Sequence, residues 1–411
     1  MYYAVQTRGF ISAMCDVVQG ALYPAVRPKD VSRWGCPIPP RNEQARIVAK
    51  LDELLSDLDA GIASLERVRA KLKHYRAAVL KAAVEGALTA GWRREHPPTE
   101  TADALLTRIL AERRRRSEEA QLAKFEAAGK VPPKGWKAKF REIPDPNTGA
   151  LSTLPSGWCW ATVEQCGQVR PGRQRAPQHH TGDHMRPYLR VANVYEDRLD
   201  LSDVKAMNFS PEEFETYALR FGDILLNEGQ SPELVGRPAM YRDEIPGCCY
   251  QKTLLRFRAR EGVSQRWALL VFRSHLHSGR FRRSASITTS IAHLAAERFV
   301  RIEFPLPPYH EQDAIVETVE DQLSVIDHLE RDLDARLKSA QALRQSILRH
   351  AFTGQLVPQD PNDEPASELL KRIATEREER ARLAPDAKRK ARPDKAGKAR
   401  GSRRARTDAR E

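Results

Sequence analysis

The chain has 411 residues, 41% of them hydrophobic, which excludes a wholly disordered protein and predicts two or three domains. The 68 Lys and Arg exceed the 55 Asp and Glu, and the formal charge of +13 favours an anionic partner, nucleic acid first. The longest apolar run (residues 267–272) is too short to span a bilayer, and no secretory signal is visible. The six Cys form no Cys-x-x-Cys pair. We therefore expect a reduced, cytoplasmic protein without a membrane partner.

The excess charge is confined to two segments. Residues 112–141 carry a net charge of +6 and residues 386–411 carry +7, so the rest of the chain is balanced. The first segment belongs to a stretch, 93–153, that reads as a basic linker with a short amphipathic part. The second reads as a disordered basic tail, which either adds salt-sensitive affinity for nucleic acid or keeps the protein soluble.

An internal repeat organises the chain. Residues 38–89 align without a gap to residues 306–357 at an offset of 268 positions, with 15 of 52 positions identical. Both copies open with Pro-Pro-x-x-Glu-Gln-x-x-Ile-Val. A second echo follows at an offset of 264, where residues 105–109 match residues 369–373. Chance similarity between helices would not keep the same opening in both copies, so we interpret the repeat as a duplication.

Each copy of the repeat predicts one long helix, within residues 38–92 and 306–357. The Pro-Pro pair suits a helix start, a Glu in the first turn suits the helix dipole, and Gly86 and Gly354 stand where helix-ending glycines belong. Apolar residues recur at spacings of three and four over about 44 residues, or roughly 66 Å. Two such stripes are buried most economically as a coiled coil; two helices of a larger bundle are the alternative. A short C-terminal helix is expected at 358–385.

Residues 154–305 predict a strand-rich α+β domain, so the fold class is α+β with two long helices. Helical periodicity is present at Pro211–Tyr217 and Gln265–Ser278. Short β-branched or aromatic runs, separated by Gly, Pro, Asn and Asp, predict the strands. We expect these strands at 160–163, 188–191, 223–226, 253–257 and 300–304.

Arginine and amide side chains of the α+β domain are the candidates for reading DNA. Arginine presents a planar fork of donors suited to phosphate and guanine, and amides suit adenine. A solvated arginine face, and turn residues that cap strands, are the alternative explanations. The predicted DNA-binding residues are Arg190, Asn193, Asn227, Gln230, Gln251, Lys252, Arg280, Arg282 and Arg283.

No catalytic or metal-binding motif is apparent. The chain has no Gly-x-x-x-x-Gly-Lys-[Ser/Thr] loop, no Gly-x-Gly-x-x-Gly and no Asn-Pro-Pro-aromatic signature of adenine methyl transfer. His179, His180 and His184 lie near Asp183 but lack ligand spacing on a regular element, so a polar loop facing DNA is preferred to a metal site. We predict no catalytic residue, no metal and no cofactor.

Several further motifs follow in order along the chain. Each is modest alone, but their order is specific and covers nearly the whole chain to about residue 380. Besides the repeated Pro-Pro-x-x-Glu-Gln opening they are Leu-Pro-x-Gly-Trp-x-Trp at 154–160, Tyr-Leu-Arg-Val-Ala-Asn at 188–193, Phe-Gly-Asp-Ile-Leu-Leu at 221–226, Glu-Leu-Val-Gly at 233–236 and Gly-Gln-Leu-Val at 354–357. With these motifs the chain resembles the specificity (S) subunits of type I restriction–modification enzymes.

The resemblance implies a DNA-binding subunit with no catalytic centre of its own, within a type I restriction enzyme and adenine-specific DNA methyltransferase complex. In this family two target-recognition domains alternate with two helices that form an antiparallel coiled coil. Each domain reads one half of a bipartite DNA site, and the coiled coil sets the gap between the halves. The implied partners are double-stranded DNA, two modification (methyltransferase) subunits and, through the complex, a restriction (translocase and nuclease) subunit.

The N-terminus departs from the family pattern. Only residues 1–37 precede the first helix, and they correspond to residues 269–305, the closing part of the domain at 154–305. We therefore expect a remnant of a first recognition domain in an N-terminally truncated subunit. A misplaced start codon, a truncated allele, and a half-subunit that pairs with itself or with a second half-subunit remain open. A coiled-coil interaction protein without sequence-specific DNA readout is the functional alternative.

Overall fold

The computed structural model describes residues 1–20, 24–288 and 290–390. They fall into two compact units, which we name the helical unit (residues 1–67 and those from 332 onward) and the mixed unit (residues 68–331). None of the described helices is long and apolar enough to cross a membrane. Most of the basic tail predicted at 386–411 lies outside the described residues.

Helices form the helical unit and frame the mixed unit. Short 3₁₀ helices lie at Ala4–Gln6, Trp136–Lys139, Pro177–His179 and Val191–Asn193. The α-helices are α1 (Arg8–Cys15), α2 (Pro28–Arg33), α3 (Arg41–Val84), α4 (Ala90–Glu95), α5 (Ala102–Ala127), α6 (Val163–Cys166), α7 (Pro211–Tyr217), α8 (Gln265–His277), α9 (Arg280–Ser284), α10 (Ala296–Phe299), α11 (Tyr309–Phe352) and α12 (Ala366–Lys390).

The two repeat copies form α3 and α11, each 44 residues long. Both helices end at the glycines that the repeat predicts, with φ of +70° at Gly86 and +71° at Gly354. After α3 the N–H of Ala87 donates to the carbonyl of Ala82 at 2.9 Å, and after α11 the N–H of Gln355 donates to His350 at 2.9 Å. These six-to-one bonds close a Schellman-type end, which requires a left-handed residue and therefore favours glycine.

In the helical unit, the first part of α3 packs against the last part of α11. Buried Ile47 and Leu51 of α3 share an apolar cluster with Leu348 and Ala351 of α11. The guanidinium of Arg344 forms an ion pair with Asp59. Early residues of one helix therefore meet late residues of the other, so the two helices run antiparallel in this unit.

In the mixed unit, the last part of α3 packs against the first part of α11. Leu80 and Ala83 lie in one core cluster with Val319 and Leu323. The guanidinium of Arg76 forms ion pairs with Asp327 and with Glu330, the latter at 2.9 Å. The direction is again antiparallel, and the pairing predicted from the repeat is confirmed.

The segment at 93–153 contains more structure than the short amphipathic stretch expected of a linker. It forms α5, a helix of 26 residues. Leu105 and Ile109 bury its apolar stripe in the core of the mixed unit. Beyond that stripe, ion pairs at helical spacing stabilise the exposed part, for example Arg114 with Glu118 at 3.1 Å. Because charged residues dominate the composition of this part, the spacing of apolar residues in the sequence does not reveal the helix.

The mixed unit contains short, mainly antiparallel strands. They build a four-stranded sheet in the order β2-β11-β7-β9, two three-stranded sheets (β10-β3-β6 and β12-β13-β8) and the pairs β1-β14 and β4-β5. The strands are β1 (Cys159–Thr162), β2 (Gly167–Pro171), β3 (Met185–Leu189), β4 (Val194–Tyr195), β5 (Arg198–Leu199), β6 (Lys205–Asn208), β7 (Ile224–Asn227), β8 (Gly229–Gln230), β9 (Pro238–Met240), β10 (Cys249–Tyr250), β11 (Leu254–Ala259), β12 (Ser286–Thr288), β13 (Ile291–His293) and β14 (Glu303–Leu306).

The core of the mixed unit lies between the four-stranded sheet and α8. The ring of Phe272 on α8 contacts Phe257 of β11 and Phe299 of α10, with centroids 4.9 and 5.3 Å apart. The α+β fold class is confirmed, and α7 and α8 form where periodicity predicts helices. The strand expected at 300–304 begins only at Glu303, because residues 296–299 form α10.

The Glu-Gln pair of the second repeat copy joins the start of α11 to the rest of the mixed unit. The buried carboxylate of Glu311 accepts hydrogen bonds from Trp158 Nε1 (2.8 Å), Thr89 Oγ1 (2.7 Å) and Arg93 Nε (2.8 Å). The side chain of Gln312 accepts from the backbone N–H of Ser264 at 2.7 Å. One carboxylate therefore connects the end of the first repeat copy, the start of the α+β domain and α11.

We expect Glu311→Gln to lower the free energy of unfolding by about 2–4 kcal/mol, because the amide removes the charge that Arg93 and two other donors share. Glu43→Gln, at the equivalent position of the first copy, is the matched control and is expected to cost less than about 0.5 kcal/mol. Urea unfolding followed by tryptophan fluorescence measures both. Equal losses in the two variants would contradict the role assigned to the Glu311 cluster.

Candidate nucleic-acid interface

Strand ends in the mixed unit bring several predicted DNA-binding residues together. The N–H of Gln251 donates to the carbonyl of Leu189 at 3.0 Å, and the N–H of Glu228 donates to the carbonyl of Thr253 at 2.9 Å. The turn that begins at Gln251 therefore lies between the end of β3, where Arg190 stands, and the end of β7. Separate stretches of the sequence meet at this turn.

The same edge continues on both sides. The side chain of Lys252 donates to Gln174 Oε1 at 3.0 Å, and Gln230 of β8 pairs with Ala292 of β13. The hairpin of β12 and β13 thus extends the edge and presents Ile287 and Ile291 to solvent. We call this edge the strand-end surface; it consists of Gln174, Arg175, Arg190, Gln230, Gln251, Lys252 and the β12–β13 hairpin.

Asn193 holds a loop together. Its amide nitrogen donates to the carbonyls of Asp200 (2.8 Å) and Asp203 (3.1 Å), and its oxygen accepts the N–H of Arg190 (3.0 Å). These bonds use both the amide nitrogen and the amide oxygen of a buried side chain, so Asn193 has no amide atom left to bond the edge of a DNA base. Arg190 itself forms an ion pair with exposed Asp203, which positions its guanidinium at the strand-end surface.

Asn227 lies inside the domain. Its side chain is fully buried, and among the described residues neither amide atom has a hydrogen-bond partner. The hydroxyl of Thr253, in the turn before β11, is likewise buried and has no partner among the described residues. A DNA base cannot reach Asn227 unless the β7–β8 turn opens. The half-buried Gln230 and Gln251 are the amides that the strand-end surface places near solvent.

The three arginines predicted on α9 have different environments. The guanidinium of Arg280 donates twice to Glu303, at 2.6 and 2.8 Å, and fixes α9 to β14. Arg283 is exposed and donates to the carbonyl of Ser278 at 2.9 Å, and Arg282 is exposed. Arg280 therefore has a structural role, and the two exposed arginines precede the β12–β13 hairpin.

A network of charges holds the β4–β5 hairpin against α8. Although burial alone would raise the pKa of Glu196, hydrogen bonds and charge from His277 and Arg273 lower it to about 2. Arg273 Nε lies 2.9 Å from Glu196 Oε1, and Arg242 Nη2 lies 2.7 Å from Asp197 Oδ1. At neutral pH the carboxylate of Glu196 therefore stays charged and holds the hairpin against α8.

A second basic surface was missed by the sequence reasoning, because its helix lies in the expected linker. An open cavity of about 550 Å³ lies between α5 and the β2–β11 edge. Burial lowers the pKa of Arg260 there, and the charges of Arg113 and Arg116 lower it further. Arg260 Nε has no partner among the described residues. The signal that could have located this surface is the run of four arginines at 113–116.

The histidine-rich stretch forms part of an exposed loop. His179 lies in a short 3₁₀ helix, and His180 Nε2 accepts a hydrogen bond from Arg175 Nε at 3.0 Å. No group of three or more His, Cys, Asp or Glu side chains that could hold a metal ion occurs in residues 1–20, 24–288 and 290–390. His180 therefore contacts an arginine of the strand-end surface.

Comparisons with known proteins find specificity subunits of type I restriction enzymes. The specificity subunit of the type I restriction enzyme StySPI from Salmonella potsdam is 27% identical over 371 residues, which cover 87% of this chain and 67% of the relative. That of EcoKI from Escherichia coli strain K12 is 25% identical over 368 residues, with the same coverage of both chains. No protein-family model matches the chain.

The fold also has a counterpart among solved structures. A chain in the structure described as "Structural basis underlying complex assembly and conformational transition of the type I R-M system" superposes with a TM-score of 0.55 and 19% identity. The match covers 86% of this chain and 70% of that chain, and it shows a common fold. Over most of its length the chain is therefore similar in sequence to specificity subunits of type I restriction enzymes.

The attachment of α9 next to the strand-end surface is expected to weaken in acid. The ring of His275 on α8 contacts the ring of Phe281 on α9. Burial lowers the pKa of His275 from 6.5 to about 4. The charge of Glu303 raises this pKa, and the charges of Arg280 and Arg283 lower it. Between these pH values the unfolded chain binds a proton that the folded chain does not. This difference in proton binding contributes up to about 3 kcal/mol to the free energy of unfolding. The full contribution is present above pH 6.5 and is lost as the pH falls towards 4.

We expect His275→Gln to flatten the dependence of the unfolding midpoint on pH between 6.5 and 4. His310→Gln, at an exposed position at the start of α11, is the control and should leave the slope unchanged. Urea unfolding at several pH values measures this slope. A slope that persists in His275→Gln would contradict the assignment.

Proposed function

We propose that this chain is the DNA-reading, non-catalytic subunit of a cytoplasmic type I restriction–modification complex, and that its α+β domain reads one half of a bipartite site. The similarity to curated specificity subunits over 87% of the chain carries this proposal. The chemistry of the strand-end surface supports it, because amide, lysine and arginine groups there come from separate turns and face solvent.

The residues proposed to contact DNA differ in their roles. Lys252 and Arg175 are exposed cations suited to phosphates, which fix position without reading sequence. Gln230 and Gln251 suit base edges, and Arg190 can exchange its exposed carboxylate partner for a phosphate or a guanine. Exposed Arg282 and Arg283 are proposed as further phosphate contacts. Asn193, Asn227 and Arg280 are proposed to maintain the fold.

The proposed partners are double-stranded DNA and two modification subunits, with a restriction subunit joining through the complex. The internal repeat supports the number two, because α3 and α11 are similar helices of 44 residues. Methyl transfer and DNA cleavage then belong to those partners, and this chain selects the site on which they act.

The chain, co-expressed with a modification subunit, should enrich one short half-site from a pool of random duplexes. Sequencing of the bound fraction over successive rounds measures the enrichment. Binding without any enriched sequence would contradict the proposal and would favour a coiled-coil interaction protein without DNA readout.

Two substitutions separate affinity from specificity. We expect Lys252→Gln to weaken binding to all duplexes alike and to reduce the salt dependence of log K by about one unit, because a phosphate contact is lost. We expect Gln251→Ala to cost about 1–3 kcal/mol only for the preferred half-site, which relaxes the specificity. Lys50→Gln, which alters an exposed lysine of α3, is the control. Titrations at several salt concentrations distinguish these outcomes from a uniform loss in all three variants.

A further inference from the structure

The second basic surface of the mixed unit surrounds an open cavity of about 550 Å³, which we name the α5 cavity. One wall is a single face of α5, because the residues that line it stand at helical positions i, i+3, i+4 and i+7. These residues are Ile109, Glu112, Arg113 and Arg116. The opposite wall is the end of β11 and the residue after it, with Arg258 and Arg260.

The packing of α5 on the turn after β11 fixes the distance between the two walls. Phe257 points into the core, so alternation along the strand directs Arg258 and Arg260 to the opposite face. Gly262 follows with φ of +91°, and a Cβ there would lie 2.8 Å from Leu105 Cδ1 of α5. The helix is therefore in direct contact with the turn, and the cavity belongs to the folded domain.

Carboxylates pair with four of the six arginines that line the α5 cavity. The pairs are Arg108 with Glu100, Arg115 and Arg116 with Glu112, and Arg258 with Asp223. The other two, Arg113 and Arg260, form no ion pair with any carboxylate that the structure describes. Arg113 Nη1 donates to the carbonyl of Arg141 at 2.9 Å, and Arg260 Nη2 donates to the carbonyl of Glu164 at 3.4 Å.

The two arginines without a carboxylate influence each other. Burial lowers the pKa of Arg260 and the charge of Arg113 lowers it further, although Cys166 and Glu164 raise it. Arg260 Nε is buried and has no hydrogen-bond partner within the described part of the chain. Two like charges and an unused donor beside a partly buried cavity are costly, and an anion in the cavity would compensate both.

A dianionic phosphate group fits this arrangement better than a carboxylate does. Glu112 and Glu261 border the cavity, yet they pair with neighbouring arginines and leave Arg113 and Arg260 unpaired. A terminal phosphate carries about two charges on three acceptor oxygens, and each guanidinium fork binds phosphate oxygens in pairs. One such group can therefore bind two guanidiniums on opposite walls, which a carboxylate with one charge does less well.

The α5 cavity is separate from the strand-end surface. Lys252 precedes β11 and Arg260 follows it, so the two cations stand at opposite ends of the strand. A strand of six residues spans roughly 20 Å at 3.3 Å per residue. A phosphate bound by Arg260 is therefore not one of the phosphates that Lys252 is proposed to contact.

We propose that the α5 cavity binds the terminal phosphate of a small phosphorylated molecule between Arg113 and Arg260. The phosphate accepts hydrogen bonds from Arg260 Nε and from the guanidinium of Arg113. The exposed Arg116 closes the solvent side of the site. The proposal is independent of whether, and how, the strand-end surface reads DNA.

The probe is inorganic phosphate, titrated into the full chain by calorimetry at a constant ionic strength set with chloride. We expect saturable binding. Arg260→Gln and Arg113→Gln should each weaken it about tenfold, because a hydrogen bond from a charged donor is lost. Dimethyl phosphate, with one charge and two free oxygens, should also bind at least about tenfold more weakly than inorganic phosphate.

Arg114→Gln is the matched control for the protein. Arg114 is the exposed neighbour of Arg113 on the same helix, does not line the cavity and pairs with Glu118 at 3.1 Å. Phosphate binding should be unchanged in this variant. Urea unfolding shows whether each variant is folded, and Arg113→Gln keeps the test decisive if Arg260→Gln does not fold.

A duplex titration with the same variants identifies the source of the phosphate. We expect Arg260→Gln to leave the affinity for duplex DNA and its salt dependence unchanged. If Arg260→Gln instead weakened duplex binding and reduced the salt dependence of log K by about one unit, the cavity would contact the DNA backbone and the proposal would be wrong.

Four further results would overturn the proposal. They are the absence of saturable phosphate binding, equal losses in Arg114→Gln and Arg260→Gln, and acetate binding as tight as phosphate binding. The fourth is loss of phosphate binding in Lys252→Gln with normal binding in Arg260→Gln, which would locate the anion at the strand-end surface.

Discussion

A single buried carboxylate joins the parts of the mixed unit. Glu311 lies in the first turn of α11, where the helix dipole favours its charge, and donors from three places in the chain converge on it. A carboxylate removed from water needs all of those hydrogen bonds, so it tolerates only one arrangement of its neighbours. The end of the first repeat copy, the Trp158 segment and α11 are therefore fixed together, and the α+β domain is held on the helix pair.

The repeat was visible in the sequence because its constraints are local. A helix start after Pro-Pro, an apolar stripe at helical spacing and a glycine at the end each involve neighbouring residues, so α3 and α11 form where the pattern predicts them. The helix α5 shows the limit of such patterns. It is held by Leu105 and Ile109 and by ion pairs along its surface, and its composition alone reads as a basic linker.

The candidate site was less predictable than the fold, because a residue type does not reveal its surroundings. Asn193 and Arg280 have groups suited to bases, yet backbone carbonyls and Glu303 respectively occupy them. Gln251 and Lys252 lie side by side because they are adjacent in the chain. Their meeting with Arg190 and Gln230 depends on pairing between distant strands, which no spacing in the sequence discloses.

The central claim, that the strand-end surface is what reads DNA, is tested most directly by amide hydrogen exchange on the chain co-expressed with a modification subunit, with and without bound DNA. The account predicts that DNA slows exchange at residues 174–175, 190, 230 and 251–252 and in the β12–β13 hairpin. Slower exchange confined to the arginine-rich part of α5, with none at the strand-end surface, would contradict it.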